Sequence, residues 1–103
     1  MSVLLEMAMF PIGESESVKE DVAQVIKMID ESGVAYQLTA MGTLVETDTM
    51  DEALYIVKKA YEVLEKNNNR VYATVKFDIR KGSSNRLKTK IASVESLIGK
   101  VNT

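Results

Sequence analysis

The stretch VLLEMAMF, residues 3–10, places apolar side chains on both faces of any strand it forms. Val3, Leu5, Met7 and Met9 fall on one side, Leu4, Ala8 and Phe10 on the other, and Glu6 is the single interruption. A strand patterned this way belongs in the middle of a sheet that is covered on both faces. A chain of 103 residues is read as a single domain, 1–103, with room for one modest core. Something beyond that core must therefore cover the second face.

The rest of the chain supplies the neighbours of this strand. After Pro11-Ile12-Gly13, a capping box at Ser17-x-x-Glu20 opens a helix with Val18, Val22, Val25, Ile26 and Ile29 on one face, ended by Gly33. YQLTAMGTLVET, residues 36–47, reads as a hairpin turning at Met41-Gly42. Gly42 is expected to supply positive φ and Met41 to pack on a neighbour or a ligand. That turn puts Thr39 opposite Leu44 and Gln37 opposite Glu46. Thr49-x-x-Glu52 is a second capping box, before a helix expected to bury Leu54, Val57, Tyr61 and Leu64. RVYATVKFDIR, residues 70–80, alternates cleanly, with Val71, Ala73, Val75, Phe77 and Ile79 inward. A Gly-Ser-Ser-Asn loop leads to a last amphipathic helix through Ile91, Val94, Leu97, Ile98 and Val101. The order β-α-β-β-α-β-α is the split βαβ, or ferredoxin-like, α+β arrangement with one extra C-terminal helix. Two helices cover one face of a four-stranded antiparallel sheet, the first and third strands are central, and the other face is open.

Strand parity populates that open face. Glu6 and Glu46 lie on the central strands, Gln37 and Thr39 on one flank, and Thr74, Lys76 and Asp78 on the other, among Leu4, Ala8, Phe10, Leu44 and Tyr72. A bare apolar surface of this size marks an interface, which predicts a homo-oligomer, a tetramer formed as a dimer of dimers. Two carboxylates beneath a partner cost several kcal/mol each unless something pairs with them. Two solutions fit. Lys76 can bridge to Glu6 across adjacent strands while Gln37 serves Glu46, or a small cationic or donor-rich ligand can sit between apolar walls, fixed by the acids and hydroxyls.

Composition removes several alternatives. The chain has no cysteine and no histidine, so disulfides, Cys/His metal sites, thiol nucleophiles and His-dependent triads are excluded. Catalysis would need Glu6 and Glu46 as an acid/base pair or Lys76 as a nucleophile, and no local motif supports either; the chain is read as a non-enzyme without a cofactor. RNA-recognition modules share the strand order but stack bases on aromatics of the first and third strands. Here the third strand, Thr43-Leu44-Val45-Glu46, has none and net charge is −2, so no nucleic-acid partner is expected. The N-terminal apolar run is too short to span a membrane and lacks a basic leader, which makes a cytoplasmic location the expectation and no membrane partner. Residues 1–69 carry 5 Lys/Arg against 13 Asp/Glu and residues 70–103 carry 8 against 2, an asymmetry suited to attraction within or between subunits.

Three stretches carry a resemblance. PIG closing the first strand, SGVAYQLTAMGTLVE through the hairpin and KFDIRK at the last strand, in this order and spacing, resemble the small thiamine (hydroxymethylpyrimidine)-binding proteins of ferredoxin-like fold. The resemblance implies homotetramers that pack open sheet faces together, with the pyrimidine part of thiamine near a subunit interface. Residue by residue, Glu6 matches the family's acidic position in strand one. Tyr36, Leu38, Met41, Gly42, Thr43 and Glu46 match the hairpin motif, and Lys76, Asp78 and Arg80 match the charged end of the last strand. Ala40 stands where the family has proline, and Thr47 where it has glycine. The candidate ligand-binding set is therefore Glu6, Gln37, Thr39, Met41, Gly42, Thr43, Glu46 and Lys76, with thiamine or hydroxymethylpyrimidine as ligand. A regulatory amino-acid-binding domain and a purely structural oligomer are the alternatives.

Overall fold

The computed structural model describes residues 1–13 and 18–103. The elements are β1 (Ser2–Pro11), α1 (Val18–Ser32), β2 (Ala35–Thr39), β3 (Gly42–Thr47), α2 (Met50–Glu65), β4 (Val71–Arg80) and α3 (Arg86–Ile98). All strand pairs are antiparallel and the sheet order is β2-β3-β1-β4. This is the α+β, ferredoxin-like arrangement with an added C-terminal helix. The first capping box includes Ser17, which lies outside the described residues.

The double-apolar strand takes the central place its pattern demands. Val3, Leu5, Met7 and Met9 are buried under α1 and α2, together with Val25, Ile29, Val45, Ala53, Ile56, Ala60 and Leu64. Pro11 closes β1 opposite Val71. The next pair onward is joined by a bond from the Ile12 amide to the Arg70 carbonyl, 2.9 Å. Pro11 therefore falls at a non-hydrogen-bonded position, where its missing N–H costs the β1–β4 ladder nothing.

Helix α2 is rotated from the expected face. Ala53, Ile56, Ala60 and Leu64 are buried, whereas Leu54 and Tyr61 are exposed. The two alanines let the helix axis approach the sheet, so the larger side chains are displaced to the flanks of the contact. Thr49 caps α2 as expected: its hydroxyl accepts the Glu52 amide at 3.2 Å and donates to the Glu52 carboxylate at 2.9 Å. On β4, Phe77 and Ile79 do point to the helix side but stay 37% and 51% exposed, because α1 makes no contact with this edge strand and α2 touches it without covering its C-terminal end.

The hairpin turn also differs. Thr39 pairs with Gly42, so the two turn residues are Ala40 and Met41, and neither has positive φ. The Thr39 hydroxyl holds the bend by donating to the Gly42 carbonyl (2.8 Å) and accepting the Met41 amide (3.3 Å). Gly42 is not in the left-handed region; a Cβ placed there would stand 2.9 Å from the Met7 carbonyl oxygen. It is glycine because β1 passes too close for a side chain. The register shifts by two residues, so Gln37 faces Leu44 and Ala35 faces Glu46. Parity, and hence the face each residue occupies, is as expected.

Helix α3 crosses the open face at one end, touching β1, β2 and β3. It then runs clear of the sheet, leaving Leu97 85% and Ile98 72% exposed. The radius of gyration is 15.0 Å, against about 13 Å for a compact chain of this length.

Candidate functional site on the open sheet face

Hydrogen-bond register arranges the open face in rows across the sheet. One row reads Gln37, Leu44, Glu6, Lys76, and the next reads Ala35, Glu46, Leu4, Asp78. Thr39 and Gly42 lie beyond the first row, on the side away from α3. Glu6, Gln37 and Lys76 are thus brought together, with Glu46 one step away. Thr43 is not among them: its parity places it on the helix face, buried between Leu38 and Met7 in the register. Met41 is 85% exposed at the turn.

Glu6 and Lys76 form the expected cross-strand ion pair, 2.9 Å between Oε1 and Nζ. The Glu6 side chain is 41% exposed and that of Lys76 80%, so the pair is solvated and contributes no more than about 1 kcal/mol. Both groups keep unused hydrogen-bonding capacity. With Leu4, Leu44 and Asp78 they border a shallow cleft of about 210 Å³. A larger hollow of about 560 Å³ lies beside it between β2 and α3, lined by Gln37, Leu87, Lys88 and Ile91 among others.

Glu46 has a different partner from the expected Gln37. Its two carboxylate oxygens accept the backbone amides of Arg86 (2.9 Å) and Leu87 (3.1 Å), the first two residues of α3. The Arg86 side chain completes the lock. Its Nε donates to the Ser2 hydroxyl at 2.8 Å, a terminal nitrogen donates to the Ser2 and Asp78 carbonyls, and another meets the Asp78 carboxylate at 3.0 Å. Burial of Glu46 opposes its ionisation, but the amides of Arg86 and Leu87, the Ser2 hydroxyl and the Arg86 charge outweigh that and hold its pKa below the ordinary carboxylate value. A helix N-terminus carries partial positive charge and unsatisfied amides. α1 and α2 have acidic residues of their own in the first turn and α3 has none. Glu46 supplies that charge from β3.

The sign of the Glu46 shift sets a pH dependence. Because the folded value is depressed, its stabilisation is complete above the unfolded value of 4.5 and is lost as pH falls through the folded value. Amide hydrogen exchange along α3 should therefore accelerate as pH falls below that value, once corrected for intrinsic rates, before exchange in β1 does. Simultaneous loss of both would show that Glu46 does not control α3.

Sequence reasoning missed Arg86. The available signal was a last helix lacking acidic residues at its start. Among the described residues no cluster of His, Cys, Asp or Glu could hold a metal ion, and no helix is long and apolar enough to cross a membrane.

The profile of a family described as thiamine-binding protein matches residues 5–95. The UPF0045 protein Mb1933 of Mycobacterium bovis is 37% identical over 95 residues, covering 92% of this chain and 93% of that one. A UPF0045 protein of Methanothermobacter thermautotrophicus is 35% identical over 98 residues, covering 93% and 99%. Among solved structures, the hypothetical protein MJ1052 of Methanocaldococcus jannaschii superposes with a TM-score of 0.79 at 29% identity, covering 93% of this chain and 98% of that one. A Thermotoga maritima protein provisionally assigned to thiamine biosynthesis or salvage has a TM-score of 0.74 at 22% identity, covering 87% and 97%, a likeness of fold. With the family profile matched from within β1 to within α3, this chain belongs to the thiamine-binding protein family.

Proposed function

We propose that this protein binds thiamine, or its hydroxymethylpyrimidine part, without catalysing a reaction, on the open sheet face where a second copy packs. The observation that carries the reading is the Gln37–Leu44–Glu6–Lys76 row: an accessible carboxylate on a central strand, flanked by an amide and an ammonium on the two edge strands, in apolar surroundings on a chain in this family. Thiamine offers matching chemistry, a cationic thiazolium and an aminopyrimidine with an amino donor and ring acceptors. The cleft of about 210 Å³ is smaller than the roughly 300–1,000 Å³ of sites that enclose a small ligand. On this reading a second copy supplies the missing wall, and the ligand lies at an interface of a homo-oligomer, a tetramer in its complete form.

Glu46 is committed to α3, so Glu6 is the carboxylate that meets the ligand, with Gln37 and Lys76 beside it. Calorimetric titration with thiamine should give saturable binding to the parent protein, and Glu6→Gln should weaken it about ten- to thirtyfold, roughly 1.4–2 kcal/mol. Sedimentation should show the variant's assembly unchanged. Equal thiamine affinity in parent and variant would move the site elsewhere. No binding by the parent, with amino acids also inert, would leave the Glu6–Lys76 pair a structural one.

A further inference from the structure

Along the strands the open face changes character from one row of side chains to the next, a step of about 6.7 Å. On the side of Glu6 away from α3 the next row reads Thr39, Gly42, Ala8, Thr74, and a Cβ placed at Gly42 would lie 3.7 Å from that of Ala8. Every side chain in this row is small or missing, so it forms a low floor. Beyond it stand Phe10 and Tyr72, paired across β1 and β4 with ring centroids 5.7 Å apart and the rings tilted by 37°. They are 39% and 50% exposed. Neither of these two rows bears a charge. The face thus carries the Glu6–Lys76 ion pair, then a floor of small residues, then an aromatic pair whose backbone lies about 13 Å from the Glu6 row.

We infer, on the reading that this face binds thiamine, that the ligand lies along the strands with its aminopyrimidine at Glu6 and its thiazolium over the Phe10–Tyr72 pair, so that these two rings select for a cation. The chemistry of the two ligand rings sets the direction. The pyrimidine is neutral and presents an amino donor and ring acceptors, which suits a carboxylate held 2.9 Å from an ammonium: the amino group donates to Glu6 and a ring nitrogen accepts from Lys76. The thiazolium has no N–H to donate, and in that place it would meet the Lys76 charge at short range. Toward α3, the acids that could hold a cation are already engaged, Glu46 by the amides of Arg86 and Leu87 and Asp78 by the Arg86 guanidinium. In the opposite direction Phe10 and Tyr72 offer ring faces, whose quadrupole attracts a cation, more strongly once water is excluded. Gly42 and Ala8 leave room on the sheet between the two ends for the methylene bridge and the second ring.

Deazathiamine, in which a neutral thiophene replaces the thiazolium with little change of shape, separates charge from fit. Calorimetric titration of the full chain should show thiamine bound about five- to thirtyfold more tightly than deazathiamine. Phe10→Leu and Tyr72→Leu keep apolar bulk and remove a ring face; each should reduce that preference by weakening thiamine and not deazathiamine, while Tyr72→Phe should retain it. Glu6→Gln should weaken both ligands alike and leave the preference standing. A preference that survives both leucine variants overturns the inference, and so does one abolished by Glu6→Gln, which would put the thiazolium at Glu6 instead. If a leucine variant fails to fold, the other and Glu6→Gln decide. Equal affinity of the parent for the two ligands refutes the aromatic cation site and leaves thiamine binding standing; no binding of either ligand by the parent refutes both.

Discussion

Replacing Glu46 by alanine is expected to release α3 from the sheet while β1–β4, α1 and α2 stay folded. Two backbone amides at the start of α3 lose their acceptor, and each hydrogen bond to a charged group is worth about 1.5–3 kcal/mol. Asn85 offers no replacement, since its side chain makes no capping bond. The Arg86 side chain, 10% exposed, then has to hold the helix alone through Ser2 and Asp78. The expected loss of α3 docking is about 3–4 kcal/mol, read as hydrogen exchange along residues 88–98 that approaches the unprotected rate while β1 remains protected. Glu46→Gln keeps one acceptor and loses the charge, so it should cost about half as much. Unaltered α3 protection in Glu46→Ala would mean that Arg86 and the apolar contacts of Leu87 and Ile91 suffice. The same variant bears on function: if α3 walls the hollow beside Gln37, ligand affinity falls with α3 release even though Glu46 never touches the ligand.

What could be read in the sequence follows from which forces act locally. Strand parity in Val3–Phe10, the hairpin strands and Val71–Arg80 fixes which residues share a face, because period two is a property of the strand itself. For that reason Glu6, Gln37, Lys76 and Glu46 were all placed on the open face correctly. Registry within the hairpin depended on which residue pair made the turn, and glycine misled there by suggesting positive φ at Gly42. The buried stripe of α2 was misjudged because size was taken as the guide to burial, whereas Ala53 and Ala60 mark the line of closest approach. Where α3 docks was illegible from its own pattern: Ile91, Val94, Leu97 and Ile98 announce an amphipathic helix and say nothing of its target. That information sits in Glu46, forty residues away in the chain.

Substitution of Gly42 separates the two reasons a turn can require glycine. If positive φ were the requirement, asparagine would be the best-tolerated replacement, since it enters the left-handed region more readily than other residues with a side chain. The structure instead gives a requirement of space: Cβ at this position meets the Met7 carbonyl oxygen at 2.9 Å and the Met7 carbonyl carbon at 3.5 Å. Backbone cannot swing aside as a side chain can, and β1 is fixed on its far side by the full ladder to β4. Alanine gains about 0.4–1 kcal/mol by restricting the unfolded chain, which offsets part of the overpacking penalty of about 1–3 kcal/mol. Gly42→Ala should therefore lose about 1–2 kcal/mol in denaturant unfolding. Gly42→Asn and Gly42→Val, with larger groups aimed at the same atoms, should lose about 3 kcal/mol and loosen the pairing of β3 with β1 at Met7↔Thr43. Because Gly42 stands two residues from Leu44 in the ligand row, any variant that folds should also bind less tightly. An asparagine variant more stable than the alanine one would reverse the conclusion and return the turn to a conformational explanation.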